Sequence, residues 1–189
     1  MKLILVRHGM TLAGEKHLYC GKTDLSLSAR GVRQLQKRRG DLPPLDLAAL
    51  RCVSSGMKRC EETLEIYFGA LPHEIDPAFC EMDFGAFEMR SYAEMQNDPA
   101  YIAWISGDNE ANIAPGGESG NRMRARVLSG LARLLADGRD TLLVTHGGVI
   151  AVLMAHLFPE ENKNRYAWQP PPGGGYVVDL TAHAYTLLL

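Results

Sequence analysis

Two histidines in this chain each follow a short apolar run and precede a glycine. His8 lies in "LVRHG" at residues 5–9, and His146 lies in "VTHGG" at residues 144–148. An uncharged imidazole with a free lone pair can attack phosphorus, and a second imidazole can donate a hydrogen bond to the transferring oxygens. A lone histidine after a strand is more often a hydrogen-bonded turn residue. The interpretation therefore depends on what lies at the neighbouring strand ends.

Two arginines and a pair of glycines accompany these histidines. Arg7 directly precedes His8, and Arg59 lies in "SSGMKRC" at residues 54–60. A guanidinium group can bind two phosphate oxygens through two parallel N–H groups. Free N–H groups at a helix N-terminus also stabilise a bound anion. Gly147, the first of the two glycines, would let the backbone approach that anion closely. Taken alone, the arginine of the second segment is a surface charge and its serines are a helix cap, so a phosphate site requires the segments to meet.

Predicted strands alternate with predicted helices along the chain. Apolar runs predict buried strands at residues 2–6 and 50–55, and a strand, a sharp turn and an apolar helix within residues 140–158. Helical spacing and capping residues predict helices at 28–38, with Ser28 as N-cap, and at 56–68. They also predict a helix within 117–138, with Ser119 at its start and Gly138 after its end. Short apolar runs give strand candidates at 173–180 and 184–189, around a turn near Thr181 and Ala182.

This alternation predicts an α/β fold, a three-layer α/β/α sandwich with a mostly parallel sheet and helices on both faces. Ligands of such sheets bind beyond the carboxyl ends of the strands. The histidines and arginines follow three different strands, so parallel strands would bring them together at one edge. Phosphoryl transfer depends mainly on positioning and charge stabilisation, and cations around a nucleophile supply most of both.

The length of 189 residues fits a single domain over residues 1–189. Residues of about 71–117 are irregular and punctuated by prolines, with helical patterns only at 91–96 and 99–105. We expect this excursion to cover one end of the sheet and to shape the substrate site.

Composition narrows the classes of function. The formal net charge of −2 gives little support to nucleic-acid binding. The four cysteines lack the spacing of a zinc site, and no cofactor is indicated. Met1 and Lys2 lead directly into a short strand, and no apolar run approaches the roughly 18 residues of a membrane span, so we expect a soluble cytoplasmic protein without a membrane partner. A strand at the sheet edge leaves a homo-oligomer possible.

Five segments together resemble the signatures of the histidine phosphatase superfamily, also called the phosphoglycerate mutase-like family. They occur in the family's order over nearly the whole chain: "RHGMT" at 7–11, "SSGMKRCEET" at 54–63, "EMDFGAFE" at 81–88, "PGGES" at 115–119 and "VTHGG" at 144–148. A three-residue match is weak, but five ordered motifs at fitting intervals are specific.

The resemblance implies roles for the matching positions. His8 would be the nucleophile that becomes phosphohistidine, Arg7 and Arg59 would clamp the phosphate, and His146 with Gly147 would complete the pocket. No metal or cofactor would be needed, because the arginines supply the positive charge.

The resemblance also implies that Glu81 is the general acid and then the general base. It would protonate the leaving alkoxide, which is a poor leaving group, and afterwards activate water. From the residues alone this choice stays open, because Asp83 and Glu88 lie in the same segment.

Three positions depart from the family pattern. Relatives often carry glutamate or glutamine at Met10, asparagine at Gly14 and arginine at Leu18, so this chain lacks polar groups near the phosphate. The nearby residues expected to shape the substrate site are Cys20, Gly21 and Lys22, and His17 or Lys22 are candidates to replace the missing groups.

The substrate expected from these features is a small phosphomonoester. The segment "LYCGKTDLSLSARG" at 18–31 resembles the pattern of the α-ribazole phosphatases of cobalamin biosynthesis. Broad-specificity phosphatases, a phosphoglycerate mutase and a weakly active phosphate-binding relative are the alternatives. The aromatic residues of the excursion either pack against a benzimidazole-like ring or belong to the core: Phe84, Phe87, Tyr92, Tyr101 and Trp104.

Overall fold

The structure, a computed structural model, describes residues 1–108 and 110–189. In this part of the chain, six strands form one sheet in the order β3-β2-β4-β1-β5-β6. The strands are β1 (Lys2–Arg7), β2 (Arg51–Ser54), β3 (Glu74–Ile75), β4 (Thr141–Thr145), β5 (Gly175–Asp179) and β6 (Ala184–Leu187). The pair β5 and β6 confirms the two strand candidates at the end of the chain, whereas the two-residue β3 was not predicted.

The register of the sheet brings the three strand ends of interest to one level. β1 and β2 both pair in parallel with β4, which lies between them. Arg7 is the partner of Thr145, and Ser54 is the partner of Val144. The residues that follow β1, β2 and β4 therefore leave the sheet side by side, as the sequence predicted. β3 also runs parallel, while β5 is antiparallel to β1.

Helices cover both faces of the sheet, which confirms the three-layer α/β/α sandwich. The helices are α1 (Leu12–Glu15), α2 (Ala29–Arg38), α3 (Lys58–Phe68), α4 (Tyr92–Met95), α5 (Pro99–Ile105), α6 (Gly120–Asp137) and α7 (Gly147–Leu157). Ile4 and Val6 of β1 pack with α2 and α3, and Leu3 and Leu5 pack with α6 and α7. This alternation follows from the two-residue period of a strand.

Local capping explains where the helices begin. Ser28 and Ser119 accept hydrogen bonds from the first turns of α2 and α6, as predicted. Helix α3 begins at Lys58, two residues later than predicted, because Gly56 has a φ of 79° that a helix cannot contain. Its N-cap position is Met57, so the interpretation of the preceding serines as a helix cap is wrong.

The excursion at about 71–117 contains the predicted short helices, now defined as α4 and α5, together with β3 and two 3-10 turns at 77–79 and 85–87. Its segment around Glu81 contacts the N-terminus of α7, so it covers the carboxyl ends of the strands. No helix within residues 1–108 and 110–189 is long and apolar enough to cross a membrane.

Candidate active site

His8 presents an uncharged imidazole at the end of β1. Its Nδ1 lies 2.7 Å from the carbonyl oxygen of Gly9, and a carbonyl only accepts, so Nδ1 carries the proton and Nε2 keeps its lone pair. Nε2 makes no hydrogen bond to any residue that the structure describes. Burial, with the nearby charge of Arg59, lowers the pKa of His8 to about 3. The ring therefore stays neutral at physiological pH.

His146 is fully buried beside His8, with the ring centroids 5.1 Å apart. Nε of Arg59 donates to its Nδ1 at 3.3 Å, so the proton lies on Nε2, which is 3.0 Å from Oγ of Ser55. Burial lowers its pKa well below the ordinary value, and the positive charge of Arg59 adds to this shift. Both ring nitrogens bind protein groups. The expected hydrogen bond from His146 to a phosphoryl oxygen stays a prediction, because it requires Nε2 to exchange Ser55 for substrate.

Arg59 is held rigidly although it lies on the first turn of α3. Its Nη1 donates to the carbonyl of Thr23 at 2.9 Å and its Nη2 to the carbonyl of Gly21 at 2.7 Å. With the bond to His146, these contacts fix the plane of the guanidinium, which is almost entirely buried. The guanidinium thus joins the loop at 20–23 to the centre of the site.

Arg7 lies against the N-terminus of α7. Its Nη1 donates to the carbonyl of Pro170 at 2.7 Å, while its buried Nε has no acceptor among the described residues. A Cβ at Gly147 would lie 2.9 Å from Cζ of Arg7, so glycine allows this close approach. The expected approach of the Gly147 backbone to an anion stays a prediction. Burial lowers the pKa of Arg7, and the charge of Glu81 opposes this shift. A phosphoryl oxygen would supply the missing acceptor and charge.

The carboxylate of Glu81 binds the backbone of Gly148, the residue of α7 that follows Gly147. Its Oε2 accepts from the backbone N–H of Gly148 at 3.0 Å, and its Oε1 accepts from the N–H of Met82 at 3.0 Å. A Cβ at Gly148 would overlap Oε1. Arg7 and Glu81 therefore lie over adjacent glycines at the N-terminus of α7.

The other two carboxylates of the segment, Glu88 and Asp83, bind groups of the surrounding loops. Glu88 accepts the N–H groups of residues 21–23 and of Phe84, with distances of 3.0–3.2 Å, and the hydroxyl of Thr23 at 2.6 Å. Asp83 accepts from Gly85 N and forms an ion pair with Lys22. These contacts leave Glu81 as the candidate for proton transfer among the three.

A cavity of about 430 Å³ opens next to Glu81. Most of the residues that line it are apolar or aromatic, while polar atoms make up about half of its wall. Glu81 is the only carboxylate among the described residues that line it. The lining residues are Leu18, Tyr19, Cys20, Glu81, Met82, Phe84, Trp104, Ile105, Met123, Gly148, Ala151, Arg165, Tyr166 and Gln169.

Comparison with known proteins identifies the superfamily of this chain. The model of the histidine phosphatase superfamily (branch 1) matches residues 3–189. The chain belongs to this superfamily.

Relatives and solved structures of this histidine phosphatase cover nearly its whole length. The adenosylcobalamin/alpha-ribazole phosphatase of Escherichia coli K12 is 30% identical and aligns with 99% of this chain and 94% of its own. The alpha-ribazole phosphatase structure from Shigella flexneri has a TM-score of 0.83 at 32% identity, covering 99% and 94% of the two chains. A phosphoglycerate mutase structure from Thermus thermophilus has a TM-score of 0.70 at 31% identity, covering 95% and 93%.

The predicted substrate-shaping residues occupy different positions in this histidine phosphatase. Cys20 lines the cavity, and the carbonyl of Gly21 holds Arg59. A Cβ at Gly21 would overlap the carbonyl oxygen of Met82, so this position requires glycine. The side chain of Lys22 is largely exposed and pairs with Asp83 instead of lining the cavity.

The departures from the family pattern have clear positions. Leu18 forms part of the apolar wall of the cavity. A Cβ at Gly14 would lie 2.8 Å from Sδ of Met10, so the two departures are packed against each other. His17 is exposed and outside the cavity lining.

The aromatic residues of the excursion fall into three groups. Phe87 and Tyr101 are buried in a small core, and Tyr92 is exposed. Phe84 and Trp104 line the cavity, so only these two are placed to contact a substrate ring.

Several residues of the site carry no signal in the sequence. Arg165, Tyr166 and Gln169 reach the cavity from a segment after α7 that has no recognisable motif. Ser55 lies within a predicted motif, but its bond to His146 spans 91 positions. Within residues 1–108 and 110–189, no three His, Cys, Asp or Glu side chains are grouped to hold a metal ion.

Proposed function

We propose that this histidine phosphatase hydrolyses a phosphomonoester through a phosphohistidine at His8, with α-ribazole 5′-phosphate as the favoured substrate. The observation that carries the proposal is the neutral imidazole of His8. Its Nδ1–H is held by the carbonyl of Gly9, its Nε2 keeps a lone pair, and the positive charges of Arg59 and Arg7 act on the ring.

In the first step, Nε2 of His8 attacks phosphorus as the bond to the ester oxygen breaks. The guanidinium groups stabilise the charge on the transferring oxygens. Glu81 donates its proton to the leaving oxygen, which departs as an alcohol. Each oxygen of Glu81 accepts one backbone hydrogen bond and retains a lone pair that can carry this proton.

In the second step, the Glu81 carboxylate takes a proton from water, and the resulting hydroxide attacks phosphorus. The bond from phosphorus to Nε2 breaks, which releases inorganic phosphate and restores neutral His8. Glu81 is protonated again, so the cycle closes without a cofactor.

The cavity supports a bulky, largely uncharged leaving group. Phe84 and Trp104 contribute aromatic rings to its wall, and Leu18 and Met123 contribute apolar side chains. The similar proteins from Escherichia coli and Shigella flexneri are named alpha-ribazole phosphatases. An aromatic base joined to a ribose phosphate would place its phosphate at His8 and its base in the cavity.

The charge in the cavity favours a phosphatase over a phosphoglycerate mutase. A phosphoglycerate carries a carboxylate that needs a second cation. The only cation among the described lining residues is Arg165, and its Nη1 is ion-paired with Glu110 at 2.6 Å. The mutase remains the second candidate because a similar Thermus thermophilus structure is a phosphoglycerate mutase.

The proposal is tested by phosphate release from α-ribazole 5′-phosphate, 3-phosphoglycerate and 4-nitrophenyl phosphate. We expect the highest kcat/KM with the ribazole ester and loss of activity in His8→Ala. His156→Ala, an exposed histidine on α7, is the matched control and should retain activity. Quenching at alkaline pH, where phosphohistidine survives, should trap one added phosphoryl group on the wild type and none on His8→Ala.

Each result separates one part of the proposal. Rapid release from the nitrophenyl ester alone would keep the mechanism and exclude the ribazole substrate. Transfer from a bisphosphorylated donor to a monophosphoglycerate would favour the mutase. Binding of phosphate without turnover would indicate a weakly active relative, and full activity of His8→Ala would exclude the nucleophile.

A further inference from the structure

Arg126 connects helix α6 to the backbone of the segment that carries Glu81. Its Nη1 donates to the carbonyls of Ala78 at 3.0 Å and Cys80 at 2.6 Å, and its Nη2 donates to the carbonyl of Glu81 at 3.0 Å. One guanidinium therefore binds three carbonyls of one short stretch of chain.

Glu118 completes this connection from the other side. Its Oε2 accepts from Nε of Arg126 at 3.1 Å, and its Oε1 forms an ion pair with Nη2 of the same residue. The same Oε1 accepts the N–H of Asp83 at 3.1 Å, and the N–H of Glu118 donates to the carbonyl of Asp83 at 2.9 Å. The pair thus holds the chain on both sides of Glu81.

The need for such a connection follows from the local structure. Residues 80–84 lie between two 3-10 turns and belong to no helix or strand, so no regular backbone ladder fixes them. A general acid must lie within hydrogen-bond reach of the atom it protonates, and small displacements lower the rate steeply. Charge-assisted hydrogen bonds are about twice as strong as neutral ones, which suits a group that fixes a loop.

We propose that Arg126, held by Glu118, is a positioning residue that fixes Glu81 for proton transfer to and from the substrate. This inference rests on the proposed role of Glu81 as acid and base. Arg126 acts through the backbone carbonyls and does not contact the substrate itself.

The test compares Arg126→Gln with Glu81→Gln and with the double variant. Two substrates are used: 4-nitrophenyl phosphate, whose leaving group needs little protonation, and an alkyl phosphate, whose leaving group needs much. Arg126→Gln should lower kcat for the alkyl ester by roughly 10- to 100-fold. It should lower the burst rate with the nitrophenyl ester, which reports phosphohistidine formation, by much less. In the Glu81→Gln background it should cause less than about a twofold further loss, because residues that act through one another are not additive.

Two further variants make the result specific. Arg133→Gln, on the same helix and paired with Asp76 at the surface, should have nearly the wild-type kcat for both esters. Glu118→Gln should reproduce the dependence of Arg126→Gln on the leaving group, and it replaces that variant if the latter does not fold.

Three outcomes would overturn the inference. Additive losses in the double variant, or equal losses for the two esters, would show that Arg126 only stabilises the fold, while Glu81 keeps its role. If the loss of activity in Glu81→Gln is the same for both esters, Glu81 is not the general acid, and the inference about Arg126 is wrong as well.

Discussion

Replacing His8 with asparagine should remove a defined part of the pH dependence of folding stability. In the folded protein the pKa of His8 is lowered from 6.5 to about 3, chiefly by burial and then by the charge of Arg59. The unfolded chain therefore binds a proton between these two pH values that the folded chain does not bind. The free energy of unfolding consequently falls as the pH drops below 6.5, and it falls more in the wild type than in a protein without this imidazole.

The size of the effect follows from the width of this pH interval. One pH unit corresponds to about 1.4 kcal/mol for one proton. pH 5 is about 1.5 units below the unfolded pKa, so His8 should cost the wild type up to about 2 kcal/mol of stability there relative to pH 8. This is an upper value because solvent reaches part of His8 in the folded protein, which lowers the cost of a charge there.

Urea unfolding of the wild type and His8→Asn at pH 8 and pH 5 measures this difference. Carboxyl groups titrate alike in both proteins, so their contributions cancel. His73→Asn is a control of opposite sign. The pKa of His73 is raised, first by its bond to the Leu71 carbonyl and further by Glu61, so its contribution is present below pH 6.5 and lost as the pH rises. Equal pH dependence of the wild type and His8→Asn would mean that folded His8 is charged at pH 5, and the lone pair required for attack would then be absent.

Four further predictions follow from the site. Gly148→Ala should lower kcat at least about 10-fold, because its Cβ overlaps the carboxyl of Glu81, while thermal melting should change little since alanine favours a helix by about 1 kcal/mol. Glu88→Gln should lower the free energy of unfolding in urea by about 1–3 kcal/mol, because an amide cannot accept from all the N–H groups of residues 21–23. Arg59→Lys should raise the KM for every phosphomonoester, because lysine cannot bind the two loop carbonyls and His146 together; equal KM values would refute this. Dialysis against a chelator should leave kcat unchanged, as measured by phosphate release.

The positions of the strand ends could be predicted from the sequence because the signals that define strands and helices lie within a few residues of each other. Apolar runs and helical spacing depend on near neighbours, so β1, α6 and α7 were expected close to their observed bounds. Ser28 and Ser119 act as helix caps by accepting a hydrogen bond from the backbone N–H three residues later. Parallel strands then bring Arg7, His8, Arg59 and His146 to one edge without further information.

The sequence by itself thus determined the α/β fold, the superfamily signatures and which four side chains meet. Only the tertiary structure decided what each group can do, because the deciding hydrogen bonds join residues far apart in the chain. Glu81 is distinguished from Glu88 by bonds that span 67 positions to Gly148 in one case and 65–67 positions to the loop at 21–23 in the other. The contacts of Arg126 with residues 78–81 span 45–48 positions and leave no periodic pattern in the sequence, since a guanidinium that binds carbonyls needs only their positions in space and not the identity of their side chains.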